Sequence, residues 1–185
     1  MSSPAEFETA EVLVAGSRFD LVAVDLPGRD GQKHRREFIR HPGAVVLIPM
    51  IDTDHVVLIQ NQRPAVGETL LELPAGTREP GEPVLATAGR ELVEETGYTA
   101  GRLTEICQFY SAPGLGNEIM HLIVADDLTQ GSQQLETTER IVPKIFHRDE
   151  IHRMVMEHQI RDAKTLVGLQ IFLFQDLARQ LPSSD

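Results

Sequence analysis

The chain has no tryptophan, only two tyrosines and a single cysteine, and aromatics make up 5% of it. The lone thiol, Cys107, cannot close an internal disulfide, so a reducing compartment fits best. No apolar run approaches the about 20 residues that a bilayer-spanning helix needs. The first residues, MSSPAEFETAEV, lack the basic region and apolar stretch of a signal peptide, and a soluble, cytoplasmic protein is expected. Positive charge is scarce too: 17 Lys and Arg face 28 Asp and Glu, a net charge of −11. Such a chain has no electrostatic reason to seek nucleic acid or an anionic membrane, and neither is expected as a partner. An anionic small molecule stays admissible, provided metal ions or a few arginines reverse the sign locally.

Of the 185 residues, 41% are hydrophobic, enough for one core with a small appendage. Residues 10–16, 18–26 and 32–41 alternate or carry β-branched side chains and are separated by GS and PGRDG, which predicts a small antiparallel meander. GAVVLIPMI (43–51) reads as a fully buried strand, followed by strands at 55–63 and 69–76, the last ended by Pro74 and Gly76. Pro83 at the start, Leu85, Ala88 and Leu92 at helical spacing and Gly97 just past the end predict a helix near 83–96. Strands are expected at 102–110, 119–125 and 141–146, with a polar loop from Asp126 to Arg140. Helices at 148–158 and 162–180 close the chain, the second capped by Asp162. The terminal LPSSD should fray. Strands around a central helix, with helices at the end, make a mixed α/β sandwich.

The central helix carries an oddity. GTREPGEPVLATAGRELVEETGY (76–98) gathers Glu82, Glu91, Glu94 and Glu95, although like charges three or four residues apart repel by a few tenths of a kcal/mol per pair. Glu91 and Glu95 stand one turn apart on one face, with Glu94 beside them. A solvated acidic face with Arg90 paired to Glu94 would account for part of this. An oxygen-only cluster is also what a hard cation such as Mg²⁺ or Mn²⁺ selects, and a bound ion would turn repulsion into attraction.

Read from Gly76, the spacing is G-x5-E-x7-R-E-U-x-E-E-x-G-U, U being bulky and apolar. Gly76, Glu82, Arg90, Glu91, Leu92, Glu94, Glu95, Gly97 and Tyr98 fill every slot, with Tyr98 where an aliphatic residue is commoner. This resembles the signature of the Nudix hydrolases. The resemblance implies a Nudix α/β/α sandwich and metal-dependent cleavage of a nucleoside diphosphate linked to another group. It implies Glu91 and Glu95 as principal Mg²⁺ ligands, with Mn²⁺ a possible substitute, assistance from Glu94, and Arg90 orienting the glutamates. Gly76 and Gly97 would serve backbone geometry.

Features outside this box are similar to the ADP-ribose and nucleoside-diphosphate-sugar pyrophosphatases. Pro113 follows Gly97 by sixteen residues in YSAPGLGNE, and LELPAG, QNQR and HPGAVVLIP stand in the corresponding order. That resemblance implies an N-terminal β domain (1–42) exchanged within a homodimer and a hydrolase domain (43–185). It implies the Ala75 carbonyl as a further metal ligand and Arg63 on the diphosphate, a role that its fork of donors suits. Arg36 and Glu37 would reach the nucleoside across the dimer, and Pro113 and Gly114 would be substrate-binding positions. The catalytic base would be a glutamate in QQLETTERIVP, Glu139 by its spacing to the next strand and Glu136 as its substitute. Glu118 is a further ligand or orienting group. Stacking on the base falls to Phe19, Phe38, a tyrosine or an arginine plane. Cys107 reads as core, with no partnered histidine to make it a nucleophile. The expected activity is hydrolysis of ADP-ribose to AMP and ribose 5-phosphate. The alternatives are preference for GDP-mannose or another NDP-sugar, or a sensor that binds ADP-ribose without cleaving it.

Overall fold

The computed structural model describes residues 7–180, with side chains through Phe174. The LPSSD segment, expected to fray, lies outside the described residues, as does the start of the 1–42 segment. In chain order the elements are β1 (Glu11–Ala15), β2 (Asp20–Pro27), β3 (Lys33–Arg40), β4 (Ala44–Pro49), β5 (His55–Arg63), β6 (Glu68–Glu72) and β7 (Ala75–Thr77). There follow α1 (Val84–Thr96), β8 (Tyr98–Tyr110), β9 (Ile119–Gln130), β10 (Ile141–His147), α2 (Arg148–Met156) and α3 (Ala163–Gln180).

The expected meander is present as an antiparallel sheet of β1, β2 and β3 in that order. The rest forms two further sheets, ordered β10-β5-β6 and β7-β4-β9-β8. β4 organises them. All six of its residues, AVVLIP, are buried, and it pairs parallel to β9 and antiparallel to β7. Successive side chains of a strand point to opposite faces. Val45 and Leu47 accordingly meet Ala88 and Leu92 of α1, together with Ile123 and Ala125. Val46 and Ile48 meet Leu58, Leu122 and, from α2 and α3, Ile151, Leu169 and Phe172. The result is helices on both faces of strands, the α/β/α arrangement that was expected. Truncating a side chain as enclosed as Leu92 to alanine costs about 2–5 kcal/mol.

Three features depart from the expectation. The predicted strand 69–76 is two strands in two sheets: β6 pairs with β5, β7 with β4. The chain changes sheet at Leu73–Pro74, where the Pro74 carbonyl accepts from Leu47 N at 2.8 Å and Leu73 N donates to Thr165 Oγ1 at 2.8 Å. Next, β8 starts at Tyr98 and β9 runs on to Gln130, so that 126–130, expected in a loop, is paired strand. Its polar residues hid a hairpin whose backbone bonds are made regardless of side chain. Finally, Leu85 is 45% exposed, and the buried face of α1 consists of Thr87, Ala88, Glu91, Leu92, Glu95 and Thr96. Among the described residues no helix is long and apolar enough to cross a membrane.

The 111–118 loop ties the meander to this body. Ile39 N donates to the Leu115 carbonyl at 2.9 Å, Asn117 N donates to the Ile39 carbonyl at 3.2 Å, and His41 N donates to Asn117 Oδ1 at 2.8 Å.

Candidate active site

α1 ends at Gly97, whose φ of 78° suits a residue without Cβ, and its N–H returns to the Val93 carbonyl at 2.9 Å. One turn of helix separates Glu91 from Glu95, and both are buried against β7. Gly76 on β7 matters for space rather than for torsion. A Cβ there would stand 1.8 Å from Glu91 Cδ and about as close to both carboxylate oxygens, so the missing side chain is the room that Glu91 occupies. Beside it, Ala75 N donates to Glu95 Oε2 at 2.8 Å.

Arg90 draws the other acids together. Its Nη1 donates to Glu91 Oε1 at 2.8 Å and Glu94 Oε2 at 3.0 Å; Nε and Nη2 reach Glu82 at 3.2 and 3.1 Å. Glu82 also accepts from Thr87 Oγ1 at 2.8 Å. These contacts, Arg90 foremost, hold the Glu82 carboxyl down at about 2, and the same acids push the Arg90 guanidinium still higher than its ordinary range. Glu91 and Glu95 behave oppositely. Burial pushes Glu91 up to about 7 although Arg90 opposes it. Burial likewise pushes Glu95 up to about 8, against the Ala75 N–H, with the charges of Glu91 and Glu139 adding to the rise.

A cavity of 1710 Å³ opens over this cluster. Its walls include the turn between β1 and β2, the β7 segment, Arg63, Glu139 and the start of α3. It contains Ala75, Arg90, Glu91, Glu94, Glu95, Arg63, Glu118, Glu136 and Glu139, so nine expected site residues share one space. The two base candidates both line the cavity, with Glu136 N donating to Glu139 Oε2 at 3.0 Å, but differ in surroundings. Glu139 is half-buried and its charge is felt by both Glu91 and Glu95, whereas Glu136 is exposed and lies 3.6 Å from Arg18. Glu118 is occupied by Ser111 Oγ, which donates to it at 2.5 Å, and by His41 Nδ1 at 3.5 Å. Phe19 and Tyr110 line the cavity with half or more of their surface exposed, while Phe38 packs on Phe7, with centroids 6.0 Å apart.

Four expected residues are not gathered there. Arg36 and Glu37 are exposed on β3, and Pro113 and Gly114 are exposed on the 111–118 loop; none lines the cavity of the single chain. Cys107 is half-buried against the core, as expected.

Two residues escaped the sequence reading. Glu72 is fully buried, and Lys164 is nearly so; they meet at 2.5 Å beside Arg63. The signal was the acid inside the apolar run LLELP, which needs a counterion once buried.

Among the described residues no three of His, Cys, Asp and Glu converge as a ready-made metal centre, and Arg90 holds Glu91 and Glu94. The donor chemistry still suits a hard divalent cation. Glu91, Glu94 and Glu95 are oxygen donors only, and in two of them burial raises proton affinity, so that a cation would compete with the proton for the same oxygens.

The NUDIX domain profile matches residues 40–166. The chain is similar to the ADP-ribose pyrophosphatase of Bacillus subtilis, 34% identical over 162 residues covering 86% of this chain and 88% of that one. It is also similar to the methanol dehydrogenase activator of Bacillus methanolicus, 35% identical over 155 residues covering 83% of each. Among solved structures it resembles an ADP compounds hydrolase, with a TM-score of 0.78 and 26% identity over 92% of both chains. With the family profile running from the end of β3 into α3, and the acidic helix at its centre, the chain belongs to the Nudix family of hydrolases.

Proposed function

We propose that this enzyme hydrolyses the diphosphate of ADP-ribose to AMP and ribose 5-phosphate, with GDP-mannose and other NDP-sugars as competing substrates. The observation that carries the reading is the burial of Glu91 against Gly76 and of Glu95 on the Ala75 N–H, in a cavity that also holds Arg63 and Glu139. A cavity of 1710 Å³ exceeds the roughly 300–1,000 Å³ common for small-molecule sites, in keeping with an extended dinucleotide-like ligand.

Mg²⁺ or Mn²⁺ held by Glu91, Glu95, Glu94 and the Ala75 carbonyl would offset charge on the diphosphate and acidify an attacking water. Arg90 fixes the acids by its fork to Glu82, Glu91 and Glu94. Arg63 contacts the diphosphate as a planar cation. Glu139, carried on the loop before β10, takes the proton from the attacking water.

Functionally, the N-terminal segment (residues 1–42), which carries the β1–β3 sheet, acts as a dimerisation unit on a hydrolase region (43–185). A homodimer with exchanged sheets would bring Arg36 and Glu37 of one chain to the nucleoside of the other, and their exposure away from the cavity of the single chain supports this. The half-buried lone thiol of Cys107 suits a reducing, cytoplasmic setting.

The test is AMP release from ADP-ribose with saturating Mg²⁺, run beside GDP-mannose and a Glu95→Gln control. AMP from wild type and none from the control supports the reading. ADP-ribose bound yet intact after hours replaces the enzyme with a sensor.

A further inference from the structure

Lys164 breaks two habits of its residue type. Lysine is rarely enclosed, yet its side chain is 10% exposed. It also sits in the first turn of α3, just after the Asp162 cap, where the helix dipole disfavours a cation. A short network gives the reason. Arg63 forks onto Glu72, Nε to Oε1 at 2.8 Å and Nη2 to Oε2 at 2.6 Å. Lys164 Nζ donates to the same Glu72 Oε2 at 2.5 Å and to Asp162 Oδ2 at 2.9 Å.

Arg63, Asp162 and Lys164 all line the cavity, while Glu72 is fully enclosed behind them. Two cations therefore balance two anions. Asp162 keeps its charge despite burial, because Lys164 and Thr165 outweigh the cost of enclosure. Remove Lys164 and the quartet becomes net negative, with Arg63 left as the sole counterion of a buried carboxylate.

We infer that Lys164 is a positioning residue for substrate binding: by sharing the neutralisation of Glu72, it leaves the Arg63 guanidinium charge available to an anionic substrate in the cavity. Glu72 meanwhile locks the plane of that guanidinium, so orientation and charge are set by two different partners. The inference rests on the proposed contact between Arg63 and the diphosphate.

Four variants separate the possibilities, each measured for kcat, KM on ADP-ribose with Mg²⁺, and thermal midpoint. Arg63→Gln raises KM at least about tenfold, the worth of one charge-assisted contact. Lys164→Met raises KM about tenfold while kcat stays within about threefold, since no transition-state contact is lost. Lys164→Arg, which keeps the charge, restores KM. The double variant Glu72→Gln/Lys164→Met removes the buried anion with its counterion and returns KM to within about threefold of wild type, because the amide oxygen still accepts from Arg63 without taking up its charge. The double variant also keeps the test open should Lys164→Met alone fold poorly.

If Arg63→Gln leaves KM unchanged, the diphosphate contact itself is wrong. If Arg63→Gln raises KM but Lys164→Met does not, the role given to Lys164 is overturned. It is overturned equally if the double variant is as impaired as Lys164→Met and KM merely follows the loss of thermal stability.

Discussion

At position 76 a methyl group has nowhere to go, because Glu91 already fills the space. Gly76→Ala must swing that carboxylate aside, and the side chain is flexible enough to yield. The expected outcome is a fall in kcat/KM of about 10²-fold or more with a midpoint within a few degrees of wild type. Steady-state kinetics and a thermal melt check both halves. The buried acids also set a pH dependence. Glu91 and Glu95 keep their protons up to about 7 and 8, whereas an unfolded glutamate loses its proton near 4.5. Between those values the folded protein binds more protons than the unfolded chain, so stability falls as pH rises. Without divalent cations, urea unfolding should show the protein weaker at pH 8.5 than at pH 5.5, by an amount on the order of a few kcal/mol. Glu95→Gln should flatten that slope. Glu82, held at about 2, has the opposite sign: its contribution is present above 4.5 and disappears only as pH drops toward 2.

At the level of elements, one hydroxyl reinforces the join between α3 and the β6–β7 crossing, next to the Lys164–Glu72 ion pair. Thr165 Oγ1 accepts from Leu73 N at 2.8 Å and donates to Asp162 Oδ2 at 2.6 Å. Thr165→Val keeps the shape but strands a buried N–H, at about 1–3 kcal/mol. A melt should show a drop of about 2–12 °C, and Thr165→Ser should recover most of it. This join also marks where sequence reading stopped. β4 and β5 were legible because buried strands are written in continuous apolar runs, and α1 because its glycine stop and acid spacing are local. The split of 69–76 was not, since Pro74 reads as an end until Leu47 and Thr165, distant in sequence, supply the bonds that carry the chain onward. The acid box was readable from spacing alone. The quartet of Arg63, Glu72, Asp162 and Lys164 needed β5, β6 and α3 to be brought together, and no periodicity within one element reveals such a meeting.

Across the whole molecule, a cation that displaces the protons of buried Glu91 and Glu95 should stabilise the entire fold, in a chain whose formal net charge is −11. At 100 times its dissociation constant, Mg²⁺ should add about 2.7 kcal/mol by mass action, read as a higher melting point in Mg²⁺ than in EDTA. Glu95→Gln should shrink that gap, and sodium chloride at matched ionic strength should not reproduce it. The crossing segment from β6 to β7 gives the molecule a further property. Glu72 holds Arg63 and Ala75 holds Glu95, and only Leu73 and Pro74 lie between them. An extended chain of that length spans at most about 11 Å. The anion grip and the acid cluster are thus two marks on a covalent ruler, one that repacking of neighbours cannot stretch. On the proposed roles of Arg63 and the acid cluster, the enzyme would gauge the linkage it cleaves by bonds and leave what hangs from that linkage to softer walls. Changes that widen the range of attached sugars should therefore fall on the rim around Phe19 and Tyr110, while a single residue inserted between Glu72 and Ala75 should silence every substrate alike.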